Sequence, residues 1–227
     1  PRSRMVELFI NEEPYGVYNE VEHIDESFLR NNGIMPVNLY KGEQVYKERY
    51  LTIDFDLFNN PSLWRKASIF NRAPEDDFSD LIYLLKLVRE AETSSDAFAR
   101  LKQLAKMDDW ALFSAYQTLL QAWHNDWRHN NRLVLDPWSG TVKPIVHDTV
   151  SMIGKDEFSL NSRSHALLTL YNKSSDFVLQ KHRHLYKFVV DGIIPKTIIH
   201  LDNLIPNLVN SMSRDKYRHQ QSHSKRF

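Results

Sequence analysis

The stretch HNDWRHNNRLVLDPWSGTVKPIVHD, residues 124–148, places polar side chains at both open ends of a short apolar hairpin. The DPWSG segment provides the turn, and Pro144 predicts that the second strand lies at a sheet edge, because proline has no N–H to donate. Asp126 precedes the first strand and Asp148 follows the second. The pattern therefore predicts that these polar groups meet in space.

The spacing of three of these residues is typical of phosphoryl transfer. Asn131 follows Asp126 by five positions, and Asp148 ends the returning strand, as in protein kinases. Because Mg²⁺ prefers a few carboxylate or amide oxygens together with phosphates and water, Asn131 and Asp148 are the predicted metal ligands. Asp126 would orient the attacking hydroxyl and accept its proton. Alternatively, the acidic residues only close a turn and cap the next element.

The periodicity of apolar residues changes on moving outward from this stretch. Residues 6–10 and 16–21 predict a β-hairpin, residues 37–42 a third strand, and DESFLRNNG between them a short helix. The first fifty residues thus resemble part of a small sheet with a helical insert. From residue 77 the spacing predicts three successive helices, and three more helical patterns follow the hairpin. The expected fold class is α+β.

Composition restricts the classes of function. Among 227 residues, 29 Lys and Arg balance 29 Asp and Glu, so no overall field draws the chain to nucleic acid. The absence of cysteine excludes disulfides, thiol nucleophiles and Cys-ligated zinc, but leaves the compartment open. No apolar run reaches the roughly 18 residues of a spanning helix. The start, PRSRMVELF, lacks an initiator Met and a signal-peptide core, and we expect a piece of a longer chain.

Two segments resemble the CotH kinase family, atypical secreted kinases named for a bacterial spore-coat protein. VELFINEEPYGVYNEVEHIDESFLRNNGIMPVNLYKG resembles the family element that ends in "NLYKG", and residues 124–148 resemble its Asn-x-Asp loop, hairpin and closing aspartate. The resemblance spans essentially the whole chain. It implies that Asp126 is catalytic and that Asn131 and Asp148 bind metal, and it places Glu22 and Lys41 in the ATP-binding region.

The resemblance also implies an architecture and a reaction. The fold would be atypical protein-kinase-like, with residues 1–50 as the remaining part of a small N-terminal lobe and residues 51–227 as a mainly helical large lobe carrying the catalytic hairpin. The reaction would be phosphorylation, moving the γ-phosphoryl group of ATP to Ser or Thr of a protein substrate with Mg²⁺ or Mn²⁺. An exported, cell-surface or coat-associated setting is implied, while no nucleic-acid partner and no membrane span in this segment are expected. The oligomeric state stays open.

The chain departs from the family pattern at both ends of the hairpin. Where the family closes with Trp-Asp-x-Asp, residues 147–150 read HDTV, and His124 replaces the Asn two positions before Asp126. These changes support an alternative, a catalytically inactive CotH-like binding protein acting in surface adhesion or coat assembly. A purely structural helical domain is a third interpretation, favoured if Asp126 and Asp148 point apart.

The histidines of this stretch raise the further alternative of a zinc site. His124, His129 and His147 could form a triad, since imidazole suits Zn²⁺. However, the first two are five positions apart, which is off the i,i+4 spacing of a helical face, and no zinc-protease pattern surrounds them. Structural histidines are therefore expected.

Overall fold

The computed structural model describes residues 1–44, 54–68, 74–122, 124–149, 160 and 164–215. Within these ranges, helices and strands are mixed and both sheets are antiparallel, which confirms the α+β class. In chain order the elements are β1 (Ser3–Ile10), β2 (Glu13–Val21), α1 (Glu26–Asn31), β3 (Asn38–Gly42), β4 (Trp64–Lys66), α2 (Ser79–Glu90), α3 (Ser95–Leu104), α4 (Met107–Leu119), β5 (Asn131–Asp136), β6 (Thr141–Pro144), α5 (Ala166–Tyr171), α6 (Ser175–Val190) and α7 (Ile193–Ser213).

The elements belong to two compact units, Pro1–His23 with Phe188–Phe227 and Ile24–Lys187. The first unit contains the β1–β2 hairpin and α7, which runs without a break through Pro206. A proline inside a helix usually kinks or divides it, but α7 is not divided at Pro206. The predicted lobe boundary near residue 50 stays a prediction, and residues 45–50 lie outside the described ranges.

The second unit carries a four-stranded antiparallel sheet in the order β4-β3-β5-β6. The segment before β5 and the end of β6 are the two polar stretches predicted around the hairpin. β6 ends at Pro144 and lies at the sheet edge, as the sequence predicted. The sequence grouped β3 with the first hairpin, whereas the structure pairs it with β4 and β5. The β5–β6 hairpin is therefore part of a larger sheet rather than isolated.

Both faces of this sheet are covered by apolar side chains. On one face, Tyr40 and Leu133 belong to the main core together with buried residues of α2 to α5. On the other face, Leu39 and Val134 pack with Phe28 of α1. The short helix predicted from DESFLRNNG is confirmed as α1.

The three helices predicted from residue 77 onward are confirmed as α2, α3 and α4. Helix α3 is capped by Ser94, whose side-chain oxygen accepts a hydrogen bond from the Ala97 N–H at 3.2 Å. Helix α4 holds the hairpin directly, since its buried Trp110 donates from Nε1 to the carbonyl of Val142 at 3.2 Å. Among the described helices, none is long and apolar enough to cross a membrane.

Candidate functional site

Asp126 is fixed within the loop that connects α4 to β5. Its Oδ1 accepts hydrogen bonds from the backbone N–H groups of Arg128 at 2.7 Å and His129 at 2.8 Å, and Nδ1 of the His129 ring lies 3.1 Å away. An aspartate that accepts from backbone N–H groups two and three positions ahead forms an Asx turn. The side chain is still 29% exposed. The carboxylate is therefore oriented by the loop and accessible.

Asn131 closes the same loop from the first position of β5. Its Nδ2 donates to the carbonyl of Asp126 at 2.6 Å and to that of His129 at 3.0 Å. The five-residue spacing thus has a local structural role, because the amide ties the end of the loop to its beginning. Its Oδ1 accepts no hydrogen bond from the described residues. The proposed metal contact through this oxygen stays a prediction.

Asp148 lies beyond the end of β6, in contact with the loop. Its Oδ2 accepts a hydrogen bond from Nδ2 of Asn130 at 2.6 Å and lies 2.7 Å from Nδ1 of His124. Asn130 and Asp148 have φ values of 59° and 48°, a left-handed conformation that Asn and Asp tolerate better than most residues. Such conformations are held by surrounding contacts and are often found at functional sites. The sequence singled out Asn131, whereas Asn130 is the residue that contacts Asp148.

Two histidines connect the two carboxylates. The rings of His124 and His129 stack with centroids 5.7 Å apart, His124 contacts Asp148, and His129 contacts Asp126. The loop and the end of the returning strand therefore form one polar cluster, in which each carboxylate contacts a different histidine. The sequence indicated His124 as a departure from the family pattern and as a possible zinc ligand, but not as a partner of Asp148.

Basic side chains lie on the sheet beside this cluster. The Arg132 side chain is buried, and its Nη1 donates to the carbonyl of Asn131 at 3.0 Å while Nη2 lies 3.5 Å from Oε2 of Glu43. Burial lowers the pKa of Lys41, and the nearby positive charge of Arg132 lowers it further. Burial, followed by the charge of Arg132, also lowers the pKa of His147 to about 4. His147 is therefore neutral near pH 7.

Glu22 belongs to the first unit, whereas the other four candidate residues belong to the second. It lies directly after β2, where its Oε2 accepts a hydrogen bond from the Arg2 N–H at 2.9 Å. Its own N–H donates to the carbonyl of Arg2 at 2.8 Å. These contacts close the open end of the first hairpin, and the ATP-binding role of Glu22 stays a prediction.

The donor atoms of the cluster include carboxylate and amide oxygens, the ligand type that Mg²⁺ prefers. No group of three or more His, Cys, Asp or Glu in the described ranges is arranged to hold a metal ion, and the Nδ1 atoms of His124 and His129 both contact carboxylates. Mg²⁺ needs only one or two protein carboxylates when phosphates and water complete its shell. The Oδ1 of Asp148 accepts no hydrogen bond from the described residues, and Oδ1 of Asn125 is buried without one. The loop therefore offers hard oxygen ligands.

Comparison with known proteins identifies the family of the chain. The family described as CotH kinase protein matches residues 1–175 of the 227-residue chain. The match includes the loop, the β5–β6 hairpin and Asp148. No curated protein matches the chain. Because the family match covers well over half of the sequence, the chain belongs to the CotH kinase protein family.

Proposed function

We propose that the chain is an atypical protein kinase that transfers the γ-phosphoryl group of ATP to a Ser or Thr hydroxyl of a protein substrate. The observation that carries this proposal is the single polar cluster in which Asp126 and Asp148 are joined through His124 and His129. A kinase site uses one carboxylate beside the attacking hydroxyl and another to hold the metal ion that neutralises the negative charge of the phosphates. Family membership supports the same reaction class.

Asp126 is suited to the first of these tasks. Backbone N–H groups hold its Oδ1, whereas its Oδ2 has only a 3.3 Å contact with the His129 ring. The less engaged oxygen would accept the proton of the substrate hydroxyl. The hydroxyl oxygen then bonds to the γ-phosphorus as the bond to the β,γ-bridging oxygen breaks, which leaves ADP and a phosphorylated side chain.

Asp148 and Asn131 are suited to the second task. Each has a side-chain Oδ1 that accepts no hydrogen bond from the described residues, so each can bind Mg²⁺ or Mn²⁺ without losing a contact. When bound, the cation would neutralise the negative charge on the phosphates. Lys41 and Glu22 are proposed ATP-binding residues from the family resemblance. The two-lobed kinase arrangement and the exported or coat-associated setting are further parts of the proposal.

Transfer of labelled γ-phosphate from ATP to an acidic protein substrate, with Mg²⁺ or Mn²⁺, tests the proposal. Asp126→Asn should lower turnover by roughly 10²- to 10⁴-fold, the usual contribution of a general base, with little effect on nucleotide binding. Asp148→Asn should also weaken metal-dependent ATP binding. Asp136→Asn is a matched control, because it removes the same charge at the turn end of the hairpin, where Asp136 accepts from the Trp138 N–H at 2.9 Å.

Turnover by Asp126→Asn equal to that of the parent would contradict the role of Asp126. The competing function is the inactive binding protein. It is favoured by the contacts of His124 and Asn130, which already occupy Oδ2 of Asp148. A parent chain that binds no ATP with either metal and transfers no phosphate would support that alternative.

A further inference from the structure

Three basic residues form a row across adjacent strands of the second unit. Lys41 of β3 lies directly opposite Arg65 of β4 on one side and directly opposite Arg132 of β5 on the other. Residues directly opposite each other in antiparallel strands point to the same face, with Cβ atoms about 4.5–5.5 Å apart. We call Arg65, Lys41 and Arg132 the basic row.

The basic row concentrates positive charge with little compensation. Like charges directly opposite each other destabilise a sheet. Glu43 contacts Arg132 at 3.5 Å, but neither the Lys41 nor the Arg65 side chain makes a hydrogen bond or salt bridge with a described residue. Consistent with this crowding, burial and the neighbouring Arg132 and Arg65 charges lower the pKa of Lys41. An anion on this face would relieve the repulsion.

The basic row adjoins the candidate site and is open to a ligand. Arg132 directly follows Asn131. Burial lowers the pKa of Arg132, and the nearby charges of Glu43 and, less strongly, Asp148 oppose that effect. On the same face, Phe28 of α1 packs with Leu39. Arg65 is exposed and Lys41 is half-buried, so both can contact a ligand, whereas the Arg132 side chain is buried.

We infer that the basic row is the phosphate-binding part of the nucleotide site, an inference that rests on the proposed kinase function. Lys41 and Arg65 contact phosphate oxygens, while Arg132 adds positive charge and holds the carbonyls of Gly42 and Asn131. Arginine matches phosphate well because its planar fork donates two parallel hydrogen bonds. The inference adds Arg65 and Arg132 to the site, and neither was indicated by the sequence.

The inference can be tested by calorimetric titration of the whole chain. The ligands are ATP with Mg²⁺, tripolyphosphate, and a phosphoserine peptide. Tripolyphosphate carries the phosphates without the base. Lys41→Met and Arg65→Met should each weaken binding of ATP and of tripolyphosphate by about tenfold or more, as expected for loss of a charge-assisted hydrogen bond. Lys143→Met is the matched control, since exposed Lys143 pairs with Val134 outside the basic row and should bind as the parent does.

Each result has a defined meaning. Parental affinity of both row variants for ATP and tripolyphosphate would overturn the inference, even if the parent proves to be a kinase. Failure of the parent to bind either probe would also overturn it. A third outcome is that the parent binds ATP and tripolyphosphate through the basic row and still transfers no phosphate. That result would support the phosphate site and contradict the kinase function.

A phosphoserine peptide that binds more tightly than ATP would overturn the assignment to the nucleotide. Arg65 is exposed, so its replacement should not disturb folding. Weaker binding by Arg65→Met would therefore report a lost ligand contact rather than misfolding.

Discussion

The two hairpins of this protein differ in almost every physical respect except strand direction. In β1 the only residue that is not exposed is Val6, which is half-buried, whereas the first five residues of β5 are all buried. The β1–β2 hairpin forms a two-stranded sheet with an irregular register between Leu8 and Phe9. β5 instead pairs on both sides, and β6 is bonded to Trp110 of α4.

The difference explains where the polar cluster lies. A site needs side chains held within fractions of an ångström, and strands fixed by neighbours on several sides provide this more reliably than an exposed two-stranded ribbon. Asp126 and Asp148 flank the supported hairpin and gain their orientation from it. Elements with few buried apolar contacts open locally at low free energy. The comparison therefore predicts that the two hairpins respond differently to equivalent changes.

The largest difference is expected from removing one leucine side chain in each hairpin. Leu133→Ala in β5 should lower the free energy of unfolding by about 2–5 kcal/mol, because the fully buried side chain leaves a cavity. Leu8→Ala in β1 should lower it by clearly less, since Leu8 is 39% exposed and removing it leaves no enclosed cavity. Urea unfolding of both variants measures this, and equal losses would contradict the comparison.

Acid should weaken the supported hairpin through buried His165. Its ring stacks on Phe58 at 4.6 Å and packs edge-on against Trp110, the residue that holds β6. Burial lowers the pKa of His165 to about 3. Between the unfolded value of about 6.5 and this folded value, only the unfolded state binds the proton, so stability falls as pH falls, by up to about 1.4 kcal/mol per pH unit.

Urea unfolding at several pH values between about 7 and about 4 tests this, with His165→Phe as the variant that removes the titrating group. The variant should lose this part of the pH dependence while keeping the aromatic stacking. A parent whose pH dependence matches that of His165→Phe would show that His165 is not the responsible group.

The smallest expected effects come from the turn residues at positive φ. Asn130→Gly keeps the left-handed backbone at φ 59° but removes the amide that donates to Asp148. Phosphate transfer should fall by about tenfold while stability changes by less than about 1 kcal/mol. Asn11→Gly, at φ 51° in the first hairpin, should leave phosphate transfer unchanged and should alter the free energy of unfolding by less than about 1 kcal/mol. Transfer kinetics and urea unfolding of both variants measure these differences. Unchanged phosphate transfer by Asn130→Gly would show that Asn130 has no role in the site.

The sequence predicted the local elements well and the non-local pairing poorly. Apolar periodicity was sufficient for α2 to α4, and DPWSG for the β5–β6 turn. In contrast, nothing in the short β3 sequence NLYKG specifies its partners, because Lys41 pairs with a residue ninety-one positions away, Arg132. The basic row could not be predicted for the same reason, because its three residues are far apart in the sequence.

The choice between two adjacent asparagines also could not be made from the sequence. Asn130 and Asn131 have the same side chain, and only the left-handed backbone of Asn130 directs its amide to Asp148. The spacing argument correctly identified the loop, since Asn131 does close it on Asp126. Spacing reports how far apart residues are along the chain, whereas the direction of each side chain depends on the backbone conformation.

The edges of the four-stranded sheet have a consequence for self-association. β4 is only three residues long and presents Arg65 and Lys66, while β6 presents Lys143 and ends at Pro144. Short, charged edge strands and edge prolines prevent another chain from adding a strand and starting a fibril. The sheet that carries the polar cluster is thus protected against aggregation at both edges, by residues that include one member of the basic row.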